Sequence, residues 1–257
     1  MEVPEYLHMY DEEVFHWWYA GMRTITLSVL PPDCLPPSPA ILDAGCGTGY
    51  NIGWLRQNYG AAVTGLDFSS HALEFCRRRG AQDLIRADIA SVPLLSNNYD
   101  LVLCFDVLTH LKDAPAREKA LCEFFRVLKP GGYLLLRVPA YRFLRSGHDD
   151  AVMAYHRYGM RELRTVVAGL GFEIVRLTGA NALLFPIAVL WRTLKKIGLA
   201  PEGSDVRSTT RGKGGLNQML ASVLRFEASI LRRFSFGFGL SIFLLAEKAK
   251  QTERHTI

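Results

Sequence analysis

The chain has 257 residues, 49% hydrophobic and 21% charged, a composition that excludes disorder over its length and suits one α/β domain with a decorated end. Its formal net charge of +5 favours solubility and a mild attraction to anions. No dense Lys/Arg stripe alternates with aromatics, so the charge falls short of a nucleic-acid-binding pattern.

Residues 1–30 read as one or two helices carrying Tyr6, Tyr10, Phe15, Trp17, Trp18 and Tyr19. Pro31, Pro32, Pro36, Pro37 and Pro39 then break the helix and mark an entry loop. Apolar runs predict strands over 40–43, 61–67, 84–88, 99–105 and 133–138, with helical sequence reaching about Tyr59 and filling 70–79 and 116–128. A helix over 160–168, a strand over 172–177 and a last strand over 240–247 follow. Strands that are apolar throughout and alternate with helices predict a doubly wound, mainly parallel sheet covered on both faces. An insertion over 178–239 holds a helix candidate (183–196), a polar loop (202–215) and a second helix candidate (216–234) with apolar residues near a 3.6 period. The expected division is an N-terminal helical lid (1–37), a core (38–178 and 239–250) and a helical insertion (179–238).

The thiols and the ends of the chain suggest its surroundings. Cys34, Cys46, Cys76, Cys104 and Cys122 are scattered, with no C-x-x-C pair, which predicts neither a disulfide framework nor a metal site but a reducing cytoplasm. Residues 1–13 are acidic and lack the apolar stretch of a secretory signal. Two uncharged apolar runs, 180–191 and 234–246, are shorter than the roughly 18–20 residues of a spanning helix.

The chemistry is written at the strand ends. The first strand stops at Asp43-Ala44-Gly45-Cys46-Gly47-Thr48-Gly49, where glycines let backbone approach a ligand. The spacing is G-x-G-x-G; a dinucleotide fingerprint needs its third glycine where Tyr50 stands. Asp43 suits a ligand with a cationic amino or sulfonium group and would repel a pyrophosphate. Asp67, at the end of the second strand, can accept both hydroxyls of a ribose, and Asp88 with Ile89 is placed to read an adenine edge.

At this point the sequence resembles a known family. Residues 41–49 resemble motif I of class I S-adenosylmethionine-dependent methyltransferases; Val63-Thr64-Gly65-Leu66-Asp67 with Phe68 resembles the ribose segment and Ala87-Asp88-Ile89 the adenine segment. Phe105-Asp106-Val107-Leu108-Thr109-His110 is similar to the family's D-V-L-E-H stretch, with Thr109 in place of Glu, and Leu128-Lys129-Pro130-Gly131-Gly132 to its turn before strand five. The resemblance implies a Rossmann-like, seven-stranded sheet with an antiparallel last strand. It also implies S-adenosylmethionine as cofactor and S-adenosylhomocysteine as product, held by Asp43, Gly45, Cys46, Gly47, Gly49, Asp67, Phe68, Asp88, Ile89 and Phe105. His16-Trp17-Trp18-Tyr19 with Arg23 is similar to the first helix of a bacterial subgroup, which adds Trp18 and Arg23 to the cofactor set. His148-Asp149 with His156-Arg157-Tyr158, and Leu216-Asn217 with Glu227, resemble two further stretches of that subgroup, associated with glycans, lipid-linked sugars and secondary metabolites.

Methyl transfer from a sulfonium is an in-line displacement that needs alignment, dryness and sometimes a base, but no metal. The candidate bases are His110, His148 and His156, with Asp149 or Asp150 to orient one of them. The expected acceptor is a small molecule, glycan or lipid-linked molecule, with no nucleic-acid partner, because no N-P-P-Y-like segment follows strand four. The insertion is expected to serve as a lid, a dimer surface or a membrane-surface element through 183–234, in which case the enzyme works at the inner membrane surface. The rival readings are an NAD(P)-dependent oxidoreductase and a non-catalytic cofactor-binding module.

Overall fold

A computed structural model describes residues 3–147, 149, 152–196 and 214–250. The strands are β1 (Ala40–Ala44), β2 (Ala62–Asp67), β3 (Leu84–Arg86), β4 (Tyr99–Phe105), β5 (Leu128–Pro139), β6 (Phe172–Ala180) and β7 (Ser241–Lys248). They form one sheet in the order β3-β2-β1-β4-β5-β7-β6. All pairings from β3 to β5 are parallel, whereas β7 runs antiparallel to both neighbours. The antiparallel last strand and the doubly wound sheet are as the sequence predicts.

The strand period of two explains why both faces are covered. Ile41, Leu101 and Leu103 face one apolar layer, with Ile52, Leu55 and Ile25; Leu42, Val102 and Cys104 face the other, with Leu121, Phe124 and Leu163. Helices α1 (Val3–Glu12), α2 (Trp17–Val29), α3 (Tyr50–Tyr59), α4 (Ser70–Arg78), α5 (Ala114–Val127), α6 (Met160–Gly169), α7 (Phe185–Lys196) and α8 (Gly215–Leu231) supply these layers. Each fully buried Leu, Ile or Phe contributes about 1.5–3 kcal/mol.

Local chemistry sets the boundaries, and several differ from the sequence reading. α5 starts at Ala114 because Asp113 caps it by accepting the Ala116 N–H at 2.8 Å. β3 ends at Arg86, two residues early, because Asp88 folds its own turn by accepting the Ala90 N–H at 2.8 Å. Asp88 therefore stands after its strand rather than in it. β5 begins at Leu128 and bulges through Gly131 and Gly132, so that Leu101 faces Tyr133 after Tyr99 faces Leu128.

The insertion divides in two. α8 packs along α2, and the absence of a side chain at Gly21 leaves room for Leu224. Asn217 joins them, accepting the Trp17 N–H at 2.8 Å and donating to the Phe15 carbonyl at 2.9 Å. Glu227, the one polar exception on the apolar face, is fully buried and accepts the Leu183 N–H at 3.0 Å. α7 instead exposes Ile187, Leu190 and Trp191. The expected polar loop lies, over 202–213, outside the described residues. Among the described residues no helix is long and apolar enough to cross a membrane.

Candidate functional site

β1 has β2 on one side and β4 on the other, so the chain reverses its direction of travel across the sheet at the carboxyl end of β1. That is where open α/β sheets leave a crevice. The chain passes it through Gly45, Gly47 and Gly49, with left-handed φ values of 88°, 54° and 81°. At Gly45 the requirement is also steric, since a Cβ there would collide with Val107. The Leu66 carbonyl fixes the loop by accepting from the Gly45 and Cys46 N–H groups at 2.7 and 3.0 Å. One carboxylate oxygen of Asp67 accepts the Gly47 N–H and the other the Ser69 N–H, both at 2.9 Å.

From this loop an open cavity of about 1680 Å3 runs along the carboxyl edge of the sheet. Gly45, Cys46, Gly47, Asp67, Phe68, Asp88, Ile89, Phe105, Trp18, Arg23 and His110 all line it. Three expected residues do not. Gly49 packs against Cys76, Asp43 lies beneath the loop at 2% exposure, and His156 faces a separate small pocket.

Buried acids dominate the cofactor end. One oxygen of Asp43 has no hydrogen-bond partner, and burial, with Asp67 and Glu13 nearby, pushes its carboxyl up to about 7. Burial also raises Asp67, against the lowering effect of its two N–H donors. Glu13 is raised by burial too, opposed by its hydrogen bond from Thr48 and by Arg79. Three acids that pay for burial in this way fit a ligand with an ammonium and a sulfonium group, whose charge relieves their repulsion.

Several residues at the site escaped the sequence reading. Arg79 reaches Glu13 at 3.3 Å, donates to the carbonyls of Thr48 and Tyr10 at 3.1 and 2.6 Å, and stacks on Tyr10 at 4.1 Å. These contacts latch the end of α1 onto the glycine loop, and Met9 stands over Gly47. Arg137 pairs with Asp106 at 2.7 Å and lies between Trp18 and Phe105. One signal was visible for it: Arg137 is the single charge in the otherwise apolar 133–138. For Glu13 and Arg79 no local pattern exists, because their partners lie 35 and 66 residues away.

The aromatics of the N-terminal helices take different places. Trp18 and Tyr19 line the cavity, whereas Tyr10 stacks on Phe75 and Trp17 packs into the core. Arg23 lines the cavity while donating to the Glu13 carbonyl at 2.9 Å and covering Tyr50 at 4.2 Å.

Of the two candidate histidines among the described residues, His110 lines the cavity and His156 does not. His110 follows β4, and its Nδ1 lies 3.1 Å from the Met153 carbonyl. His156 Nε2 is engaged by Glu162 at 2.7 Å, and its ring meets Tyr158 edge-on at 4.5 Å. Burial holds its basicity below the ordinary histidine value. Asp149 does not orient a histidine; Arg157 grips it in a bidentate pair at 2.8 and 3.0 Å. His148 and Asp150 lie outside the described residues.

A doubly wound sheet with a glycine loop, an acid on the second strand and a sulfonium-compatible crevice defines a cofactor-dependent methyl-transfer fold. The model of a methyltransferase domain matches residues 42–136. The malonyl-[acyl-carrier protein] O-methyltransferase of Enterobacter lignolyticus is 32% identical over 185 residues, covering 67% of this chain and 70% of that protein. Its Serratia marcescens counterpart is 34% identical over 170 residues, covering 63% and 64%. A methyltransferase from Archaeoglobus fulgidus has the same fold at 18% identity, with a TM-score of 0.57 over 94% of this chain and 99% of that one. The chain belongs to the class I S-adenosylmethionine-dependent methyltransferases, and its cofactor is S-adenosylmethionine.

One expectation is corrected by these likenesses. The tRNA (carboxymethyluridine(34)-5-O)-methyltransferase of Arabidopsis thaliana is 36% identical over 106 residues, covering 41% of this chain and 25% of that protein. The methyltransferase complexed with the Haloferax volcanii Trm112 activator shares the fold at 19% identity, with a TM-score of 0.59 over 93% of this chain and 92% of that one. The expectation of no nucleic-acid partner therefore does not stand. The reason is that core motifs encode cofactor binding, while acceptors and partners are chosen by loops and appended segments.

Proposed function

We propose that this methyltransferase serves a small-molecule, glycan or lipid-linked acceptor, held in the cavity half beyond the glycine loop. The observation that carries this reading is the continuity of one cavity from Gly47 and Asp67 to His110 and onward beneath α7. An acceptor inside it is enclosed by chain on several sides, which favours a compact group over an extended surface.

The cofactor, when bound, supplies an electrophilic methyl group. To hold it, Asp67 would accept from the ribose hydroxyls, Asp88 and Ile89 would meet the adenine, and the backbone of Gly45 to Gly47 would take the amino-acid portion. Arg23 would attract that portion's carboxylate, and Asp43, through the field beneath the loop, its ammonium group. Phe68 and Phe105 would pack against the adenosine. Trp18 offers the cavity one aromatic surface while Arg137 occupies another. His110 is the base that takes the acceptor proton, being the described histidine candidate on the wall. A cytoplasmic setting fits the five free thiols.

The experiment is a titration with S-adenosylhomocysteine by calorimetry, followed by a screen for transfer of a labelled methyl group. Asp67→Ala should weaken binding at least tenfold, and His110→Ala should lower kcat while sparing S-adenosylhomocysteine affinity. Transfer to tRNA with none to glycans or amphiphiles would overturn the acceptor reading. Unchanged binding in Asp67→Ala would overturn the residue assignments.

A further inference from the structure

Helix α7 turns its apolar stripe outward. Leu183, just before the helix, and Ile187, Leu190, Trp191 and Leu194 recur every three or four residues and so share one side. The first four are exposed, Ile187 at 67% and Leu190 at 61%. Arg192 and Lys195 turn instead toward the cavity, which they line. Aromatic rings from two other segments border the stripe. Phe185, at the start of α7, meets Tyr141 at 6.1 Å and Phe238 at 5.5 Å, and Tyr141 in turn stacks on Phe143 at 5.5 Å. Phe143, Phe234 and Phe238 are themselves exposed. Three segments far apart in sequence thus build one adjoining apolar face, where isolated exposed side chains would need no explanation.

Positive charge rims this face. Arg142 precedes Phe143, Arg232 and Arg233 precede Phe234, and all three arginines are exposed. Within 181–196 and 214–238 the one acid is Glu227, which is fully buried and accepts the Leu183 N–H. The joining stretch, 197–213, adds two acids and three bases. Charge decides between the occupants such a face could take. A second copy, docking through the same surface, would set these arginines against their own counterparts with no exposed acid between them. An anionic lipid surface supplies the missing countercharge. Its headgroup boundary also accepts apolar and tryptophan side chains while arginines reach outward to the phosphates.

We propose that the enzyme docks on the surface of an anionic bilayer, with the outer stripe of α7, Phe143 and Phe238 in the headgroup boundary and Arg142, Arg232 and Arg233 on the lipid phosphates. The contact is peripheral, since among the described residues no helix is long and apolar enough to cross. With its outer side on lipid and its inner side on the cavity, α7 separates the two by one helix width, about 10 Å. The docking stands apart from the acceptor reading, because vesicle binding is measured without turnover.

The test uses the full chain and flotation with phosphatidylcholine vesicles, either pure or with one part in four of phosphatidylglycerol. The phosphatidylglycerol vesicles should bind at least tenfold tighter, and sodium chloride should weaken that binding. Ile187→Glu with Leu190→Glu, and separately Arg232→Gln with Arg233→Gln, should each lower the affinity at least tenfold. S-adenosylhomocysteine affinity should move less than twofold in both, which shows the fold intact. Brominated acyl chains should quench the tryptophan fluorescence of the bound protein, and Trp191→Phe should remove most of that quenching. Equal binding to both kinds of vesicle, or affinity indifferent to both pairs of substitutions, would overturn the proposal. So would quenching that survives in Trp191→Phe, because another face would then meet the lipid. A micromolar dimer in vesicle-free sedimentation equilibrium, dissolved by Ile187→Glu with Leu190→Glu, would assign the face to a second copy and overturn the lipid reading.

Discussion

Asp43 is the residue at which burial and function meet. Burial, with Asp67 and Glu13 nearby, pushes its carboxyl up to about 7, far above the usual carboxylate range. Between about pH 4 and 7 the fold therefore holds a proton that the unfolded chain has released. The stability this contributes is fully present below the unfolded value and is lost as pH rises through about 7. Bound S-adenosylmethionine brings positive charge and favours the ionised form, so its affinity should tighten as pH rises through the same window. Calorimetry in two buffers of different ionisation enthalpy should detect proton release near pH 6.5 in the parent. Asp43→Asn should abolish that release. Equal proton release in the variant would place the titration elsewhere.

Gly45 gives a second prediction at this scale. Its φ of 88° and the position of Val107 both forbid a side chain. Gly45→Ala should weaken S-adenosylhomocysteine binding by at least tenfold, and adding Val107→Ala should recover only the steric part. Full recovery in the double variant would show that backbone strain has no share in the effect.

At the scale of elements, α1 is held shut by few contacts. Its end carries Glu13, which takes a hydrogen bond from Thr48 and an ion pair from Arg79, while Arg79 also stacks on Tyr10. Arg79→Ala removes the ion pair and the ring contact while the Thr48 hydrogen bond to Glu13 stays in place. Hydrogen exchange over residues 3–12 should accelerate in this variant, and S-adenosylhomocysteine should dissociate faster with little change in its association rate. Unchanged exchange would mean that packing of Tyr6 and Met9, rather than the latch, keeps the helix closed.

The same elements explain how much was legible in the sequence. The glycine loop, Asp67 and the strands alternate with helices at short range, so spacing alone places them. The loop's neighbours are another matter. Thr48 meets Glu13 across 35 residues and Asn217 meets Trp17 across 200, and no local period encodes such pairs. His156 illustrates the converse. Its sequence context points to chemistry, and the structure engages its Nε2 with a carboxylate six residues later and sets its ring edge-on to Tyr158, contacts that no reading of the local sequence supplies. Strand ends fall short of the apolar run where a side chain builds its own turn, as Asp88 does.

At the scale of the whole molecule, the lid and the insertion are expected to melt with the core rather than apart from it. Met22 and Ile25 of α2 are fully buried in the same apolar layer as Ile41 of β1, Leu103 of β4 and Phe243 of β7. Leu224 and Ala228 of α8 share that layer. Arg176 of β6 binds the ends of both helices, donating to the carbonyls of Ser28 and Phe234 at 2.9 and 2.8 Å. A lid with an independent core would leave such a layer in two pieces, whereas here its removal would expose the sheet. Scanning calorimetry should therefore record one transition, with an enthalpy on the order of 180 kcal/mol near 60 °C for a chain of this length. Saturation with S-adenosylhomocysteine at a hundred times its Kd adds about 2.7 kcal/mol and should move that single transition upward as a unit. Asn217→Ala leaves a backbone N–H and a carbonyl unpartnered at about 1–3 kcal/mol each, so it should lower Tm without splitting the peak. Two resolved transitions in the parent protein, only one of them shifted by ligand, would instead mark residues 1–37 as a separate folding unit and make lid opening an event of local unfolding.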